Sequence, residues 1–439
     1  MFGYYLELAL RSLKRNKVLT TLMVLAISVG IGTSMTTLTV MHLLSRDPLP
    51  GRSAQIFYPQ VNPDITYPNR VNPPDVMDYR SAMDLWSAHR ADRQTLIVDS
   101  ELKVRAPETT LPPMMKSMLS TTTDFFSMFN VPFQYGGAWS EDDDTKHARV
   151  VVISADLNGK LFAGANSVGR TIRLRDTDVR IVGVLAPWRP SPLFYMVRGG
   201  SFAHGDTADF YSKPHEVMTP LTSGLEINDG HFQQYTCWRV PDTPGHLVNS
   251  PCEWVTLWVQ INDPAKVSAY RQFVADYAQQ QKTIGRFNST LTRMFSMPEW
   301  MEYNRIVPSD VRLQTWLAFA FLTICLFNTV GLLLAKFLRR SGEITVRRAL
   351  GATRRAVIAQ CLVEAGMIGL LGGLGGWVLT LLGLWWVRQQ PVAYADLAHL
   401  DVSMFVVTFV LAVVVSLLAG AIPAVRAGGV APAMHLKTL

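Results

Sequence analysis

Apolar positions gather into four long runs. Val18 to Leu44 mixes Val, Leu, Ile and Met with Ser, Thr and Gly and holds no Asp, Glu, Lys or Arg. Trp316 to Phe337 is interrupted only by Asn328 and Lys336. A third run covers about Met367 to Val387, and a fourth goes from Ser403 to about Val425. Each reaches the roughly 20 residues that cross a bilayer as a helix. Arg11, Lys14, Arg15 and Lys17 precede the first run in the manner of a signal peptide. Its length and the lack of a small-x-small cleavage site predict an uncleaved anchor instead.

Between the first two runs, over residues 45–312, the pattern shortens. Ala148–Ile153, Thr171–Leu174 and Val179–Leu185 read as strands, with Asp176-Thr177-Asp178 as a turn. Asp156–Phe162 reads as a short helix, and "WVTLWVQI" from Trp254 as a strand of alternating character. Val267, Tyr270, Phe273, Val274 and Tyr277 recur at helical spacing within Pro264–Gln281. Residues 186–250, rich in Pro, Gly, Ser and His, predict long loops. The predicted fold class is a membrane protein: four transmembrane helices with a large α+β domain inserted between helices 1 and 2.

Composition agrees. Of 439 residues, 49% are hydrophobic and 17% charged, where soluble domains carry about 25% charge. The net charge of +7 is therefore read through membrane topology, and nucleic acid is not an expected partner. Lys and Arg in excess mark the cytoplasmic side. The N-terminal segment has four within seven positions, the stretch Lys336–Arg355 has seven, and the tail has Arg426 and Lys437. Residues 1–17, 338–366 and 426–439 are thus expected in the cytoplasm. Residues 45–312 and the loop 388–402, where Arg388 faces Asp396 and Asp401, are expected outside.

Candidate chemistry is sparse. Gly164 to Thr171 matches a phosphate-binding loop except that Arg170 replaces Lys, but a strand follows it where a helix is needed. "LGGLGG" at Leu371–Gly376 lies inside an apolar run and reads as close helix packing. The nine histidines show no zinc spacing, and His204, His215 and His231 read as surface residues. Glu141–Asp144 reads as a solvated turn. Neither a catalytic residue nor a bound cofactor or metal is expected. Cys237 and Cys252 fall in the external domain. In an oxidising compartment they can close a loop of about 15 residues, worth about 3 kcal/mol; otherwise they are two free thiols. Cys325 and Cys361 read as packing residues. Asn328 is expected to hydrogen-bond between helices, and Glu364 to face headgroups, water or a partner from an amphipathic surface helix over residues 355–366.

Six arginines and a single acid, Glu343, occupy "FLRRSGEITVRRALGATRRA" between the second and third runs. Such a loop can be a topology determinant or a lipid-headgroup patch. It also has helical pattern: "EITVRRAL" closed by Gly351, then a second helix from Thr353. On that reading Ile344 and Leu350 pack toward the bilayer, and Glu343, Arg347 and Arg348 point to the cytosol as a docking knob.

"GEITVRRALGATRRAVIAQCLVEA" followed by "GLLGG" resembles the FtsX/MacB-like permeases of ABC transporters. So do residues 8–32, "DFFSMFNVPFQYGGAWSEDDD" with the strands that follow it, and Ala419–Lys437. The resemblance implies an ATPase-coupling role for Glu343, Arg347, Arg348 and Gly351, and a surface lead-in helix carrying Arg11, Lys14 and Arg15. It implies a non-catalytic permease of the bacterial inner membrane working by mechanotransmission, with ATP and Mg bound by a separate dimeric ATPase subunit, since no Walker or signature segment occurs in these residues. Further implied partners are a second permease copy, identical or paralogous, membrane lipids, a periplasmic adaptor and an outer-membrane channel. Efflux of a periplasmic substrate is the expected function. Control of a periplasmic cell-wall hydrolase and lipoprotein release are the alternatives.

Overall fold

The computed structural model describes residues 2–66, 71–106, 112–197, 208–399 and 402–428. His204, Asp401 and Lys437 lie outside the described residues. The chain divides into two compact units, Met1–Ser45 with Val307–Leu439, and Arg46–Ile306. The second unit therefore falls, in chain order, between the first two apolar helices.

The first unit is helical: α1 (Phe2–Arg15), α2 (Lys17–Leu44), α3 (Ser309–Arg339), α4 (Ser341–Ala349), α5 (Arg354–Arg388) and α6 (Val402–Gly428). Among the described residues, four segments are long and apolar enough to cross a membrane: α2, α3, α5 and Phe409–Arg426 of α6. Residues 355–366, expected as a separate surface helix, are the opening turns of α5. Thr353 caps α5 by accepting from the Ala356 amide, and no proline breaks the helix. Its 35 residues extend about 52 Å at 1.5 Å per residue, well beyond the ~30 Å hydrocarbon core.

α5 packs along α2 and α6, and α3 packs on α2 and α6. Apolar side chains gain little by leaving lipid for another helix, so close approach and hydrogen bonds decide the contact. A Cβ added at Gly376 would stand 2.8 Å from Ile31 Cγ2, and one at Gly32 2.6 Å from Leu379 Cβ. The glycine run thus brings the α5 backbone onto α2. Ser28 Oγ donates to Gly372 O at 3.1 Å, and Ser34 Oγ to Ala318 O at 3.0 Å. These hydroxyls take the role expected of Asn328, which is exposed on α3.

The second unit is built on one mixed sheet of twelve strands: β1 (Ile56–Val61), β2 (Met77–Asp78), β3 (Arg93–Arg105), β4 (Met114–Thr121), β5 (Phe133–Gly136), β6 (Val150–Ile153), β7 (Thr171–Leu174), β8 (Thr177–Leu185), β9 (Val217–Pro220), β10 (Thr236–Cys237), β11 (Cys252–Gln260) and β12 (Thr292–Ser296). The main path runs β12-β1-β11-β3-β4-β9-β6-β8-β5, with β4–β9 and β6–β8 parallel. β11 is buried along its whole length instead of alternating, because it is a central strand whose two faces meet different cores. Trp258 joins one, with Tyr58 and Trp300, while Val255, Leu257 and Val259 join the other. The β7–β8 turn is Arg175-Asp176, one residue earlier than expected: Leu174 pairs with Thr177, and Arg175 takes the positive φ of 51°.

Residues 186–250 hold more structure than their composition predicts. β9 enters the sheet between β4 and β6, and a helix over Leu221–Ile227 follows it. Cys237 and Cys252, paired across β10 and β11, form a disulfide. His215 is buried, contrary to expectation, with Nε2 2.7 Å from Asp99 Oδ1, whereas His231 is exposed. The loop from Gly164 is pinned by Asn158, which donates to Ala165 O and accepts from Ser167 Oγ, and it leads into β7.

The acidic run is a short helix, Glu141–Thr145, in which Ser140 and Asp143 form a capping box. Asp144 is not solvated: Trp139 Nε1 donates to its Oδ1 at 2.8 Å and the Thr123 amide to its Oδ2 at 2.9 Å. Burial pushes the Asp144 carboxyl up to about 6, against those two donors. A folded-state value above the unfolded one means its contribution to stability is complete below about pH 4 and lost as pH rises through 6. The Trp139 indole resonance should accordingly move with a midpoint near pH 6 in the solubilised protein, and Asp144→Asn should abolish that titration. In the membrane unit, Gly376→Leu should destabilise by about 1–3 kcal/mol through overpacking. Gly331→Leu should be tolerated, since no atom lies within 4 Å of a Cβ there; thermal melts of the two variants compare them directly.

Candidate functional site

α4 follows α3 almost without pause, Arg340 being the single residue between them. It ends at Ala349, and the stop behind it is Gly351, where φ is +101° and the amide donates to Arg348 O at 3.1 Å. Ala352 N donates to Arg347 O, completing a left-handed helix stop that a side chain would strain. Two residues later Thr353 opens α5. The three helices form a compact corner, α3–α4–α5.

A buried ionic cluster holds that corner. Glu364, on the third turn of α5, is 1% exposed, as is Lys336 near the end of α3. Lys336 Nζ stands 2.6 Å from Glu364 Oε1. Ser12 of α1 donates to the same oxygen at 2.5 Å. Arg340 donates from one terminal nitrogen to Ser12 Oγ at 2.7 Å and to Glu364 Oε2 at 3.2 Å. Its other two nitrogens form a fork on Glu343, at 3.0 and 3.2 Å. Glu364 therefore does not face headgroups or water. An unpaired carboxylate there would cost several kcal/mol; the Lys336 ammonium of α3 pairs with it instead, and donors from α1 and the α3–α4 junction hydrogen-bond to it.

Glu343 extends the cluster outward. Arg347 reaches it at 3.4 Å and donates to Gln360 Oε1 at 2.9 Å, while Arg15 of α1 stands at 3.7 Å. The Arg340 hydrogen bond holds the Glu343 carboxyl below the usual carboxylate range, with smaller aid from Arg347 and Arg15. The cavity left among these residues is about 20 Å³, room for one water.

The orientation of α4 departs from the expectation at Glu343 and Arg347. Glu343 and Arg347 fold back onto the helical unit, and Thr345 is buried. Ile344 does pack inward, half-buried against the core. Leu350 is 83% exposed, as a side chain turned to the bilayer is in the protein alone, and Val346, one turn before it, is 57% exposed. The outward face of α4 is apolar, and Arg348 is half-buried beside it. In α1, Ser12 and Leu13 face the protein, Arg11 pairs with Glu7, and Lys14 and Arg15 lie at the helix end. Lys336, Arg340, Glu364 and Ser12 were not singled out together from sequence. A signal existed: Lys336 and Arg340 are one turn apart at the end of an apolar run, and Glu364 is an acid just inside another.

Removing one member of a buried ionic set leaves its partners uncompensated. Glu364→Ala should cost about 3–5 kcal/mol. Lys336→Met combined with Glu364→Leu should be milder than Glu364→Ala alone. Denaturation in detergent, arranged as a double-mutant cycle, measures both.

Two family models cover most of the chain. Residues 20–277 match the MacB-like periplasmic core domain, and residues 316–432 the FtsX-like permease C-terminal segment. Among curated proteins, the pyoverdine export ATP-binding/permease protein PvdT of Pseudomonas fluorescens is 24% identical over 320 residues, covering 72% of this chain and 42% of that protein. The macrolide export ATP-binding/permease protein MacB of Neisseria meningitidis is 22% identical over 264 residues, 59% of this chain and 34% of that one. The chain thus spans less than half the length of these relatives. Among solved structures, the periplasmic region of MacB from Actinobacillus actinomycetemcomitans matches at 10% identity and a TM-score of 0.36, over 57% of this chain and 94% of that one. With one model covering more than half of the chain and the other covering its C-terminal helices, the protein belongs to the MacB/FtsX-like ABC transporter permeases, membrane proteins that carry a MacB-like periplasmic domain.

Proposed function

We propose that this chain is the permease of an exporter in which an ATPase, not contained in these 439 residues, docks on α4 and drives conformational change in the Arg46–Ile306 unit. The observation that carries this reading is the build of α4: an exposed apolar pair, Val346 and Leu350, on a helix whose other face is fastened by Arg340, Glu343 and Arg347. An apolar patch beside basic residues marks a protein-docking surface. The ionic brace lets a push on α4 reach α1, α3 and α5 together, because displacement of any one would strand a buried charge.

Arg11, Lys14, Arg15 and Lys17 at the start of α2, and the arginines around α4, put that end of the helices in the cytoplasm by the positive-inside rule. The same rule puts Arg46–Ile306 in the periplasm of a bacterial inner-membrane protein. Glu343, Arg347 and Arg348 then form the ATPase-coupling segment, with Gly351 setting the turn behind it. ATP and Mg²⁺ belong to the ATPase, as a dimer engaging two permease copies. Export of a periplasmic substrate is supported by the export function in the names of both relatives, with a periplasmic adaptor and an outer-membrane channel as downstream partners.

The test is Val346→Asp with Leu350→Asp, measured for binding to the ATPase that co-purifies with the wild-type chain. Central apolar contacts are worth about 2 kcal/mol or more each, so affinity should fall by at least about thirtyfold while helical content stays unchanged. Wild-type affinity in this variant removes α4 as the docking site.

A further inference from the structure

A second cationic feature lies apart from the α4 docking face. α1 and α2 are separated at Asn16, whose backbone (φ −116°, ψ 59°) leaves the helical region. A cleft of about 490 Å³ opens at this break, lined by Asn16, the first residues of α2 and the end of α3. Five of its eight lining residues are cationic, namely Lys14, Arg15, Lys17, Lys336 and Arg339, and none is acidic. Arg15 is 3.7 Å from Glu343, and Lys336 is spent on Glu364. Lys14, Lys17 and Arg339 have no carboxylate within ion-pair distance among the described residues.

Like charges gathered around one cavity repel, and an anion between them relieves the repulsion. The first turn of α2 adds to the positive field: Asn16 supplies no side-chain cap, and the leading amides of a helix carry partial positive charge. The volume is within the range of small-molecule sites, about 300–1,000 Å³.

The position of the cleft selects the anion. Lys17 begins one spanning helix and Arg339 ends another, so the cleft sits at the depth of lipid phosphates. Val18 lines it and is 78% exposed, and Leu22 and Leu25, 50% and 53% exposed, continue the same stripe of α2 at four- and seven-residue spacing. A soluble phosphate compound has no use for that apolar stripe. We propose that this cleft holds the phosphate of an anionic membrane phospholipid, with an acyl chain along Val18, Leu22 and Leu25. The site ties the α1–α2 break and the end of α3 to the inner leaflet, and it stands whether or not α4 docks an ATPase.

The experiment is native mass spectrometry of the full chain in detergent, titrated with phosphatidylglycerol, with phosphatidylcholine of the same acyl chains, and with inorganic phosphate. The wild-type chain should retain one phosphatidylglycerol in preference to phosphatidylcholine by about tenfold, and inorganic phosphate should not displace it. Lys14→Gln with Lys17→Gln should erase the preference, and Lys14→Arg with Lys17→Arg should preserve it. Arg354→Gln with Arg355→Gln, which removes equal charge elsewhere on the same side, should leave it intact. Three results overturn the proposal: an undiminished preference in the Lys14/Lys17 glutamine variant, an equal loss in the Arg354/Arg355 variant, or displacement of the lipid by inorganic phosphate.

Discussion

A carboxylate buried at the end of a membrane bundle has to be met by positive charge and hydrogen-bond donors, and in this protein four chain segments are positioned by that requirement. Glu364 receives Lys336 from α3, Arg340 from the α3–α4 junction and Ser12 from α1. In hydrocarbon, apolar packing discriminates weakly between helix arrangements. Buried ion pairs and glycine contacts do most of the discriminating here. The glycine run sets how closely α5 approaches α2, and the ionic cluster sets where α1 and α4 join that bundle.

On the proposed docking role, the cluster is what would let a nine-residue helix act as a lever. Such a helix is too short to be stable alone. α4 is held through Arg340, Glu343, Arg347 and Gln360, and its ends are fixed by the α3 junction and by Gly351. Its outward residues are left free to meet another surface. Under that proposal, force applied at Val346 or Leu350 would pass into bonds between charged groups that tolerate little displacement, because each lost contact leaves a charge in a low-dielectric site.

The Arg46–Ile306 unit follows different rules. Its sheet is stabilised by burial on both faces, most completely at β11, and by buried polar groups with defined partners such as Asp144 and His215. The Cys237–Cys252 bond joins β10 to the first residue of that central strand. It lies at the end of the region whose composition reads as loop, where β9 is nonetheless a strand of the sheet and a helix follows it.

Much of this organisation was legible in the residues. Runs of membrane length, the basic segments beside them, the helix stop at Gly351 and the cap at Thr353 are local signals, and local chemistry is enough to produce them. β7, β8 and the helix at Ala155–Phe162 were legible for the same reason. What a residue faces is not local. Whether Glu364 meets water or Lys336, whether Glu343 and Arg347 stand free or fold back, and whether β11 has one covered face or two depend on elements far away in the chain. β9 carries too short a pattern to be read without the strands on either side of it. The sequence by itself determined the segments, their ends and the sidedness expected of them, since these follow from hydrophobic length, backbone propensity and charge. Only the tertiary structure decided which charges are paired and which surfaces remain open, because pairing requires groups 24 to 352 positions apart to arrive within hydrogen-bond distance.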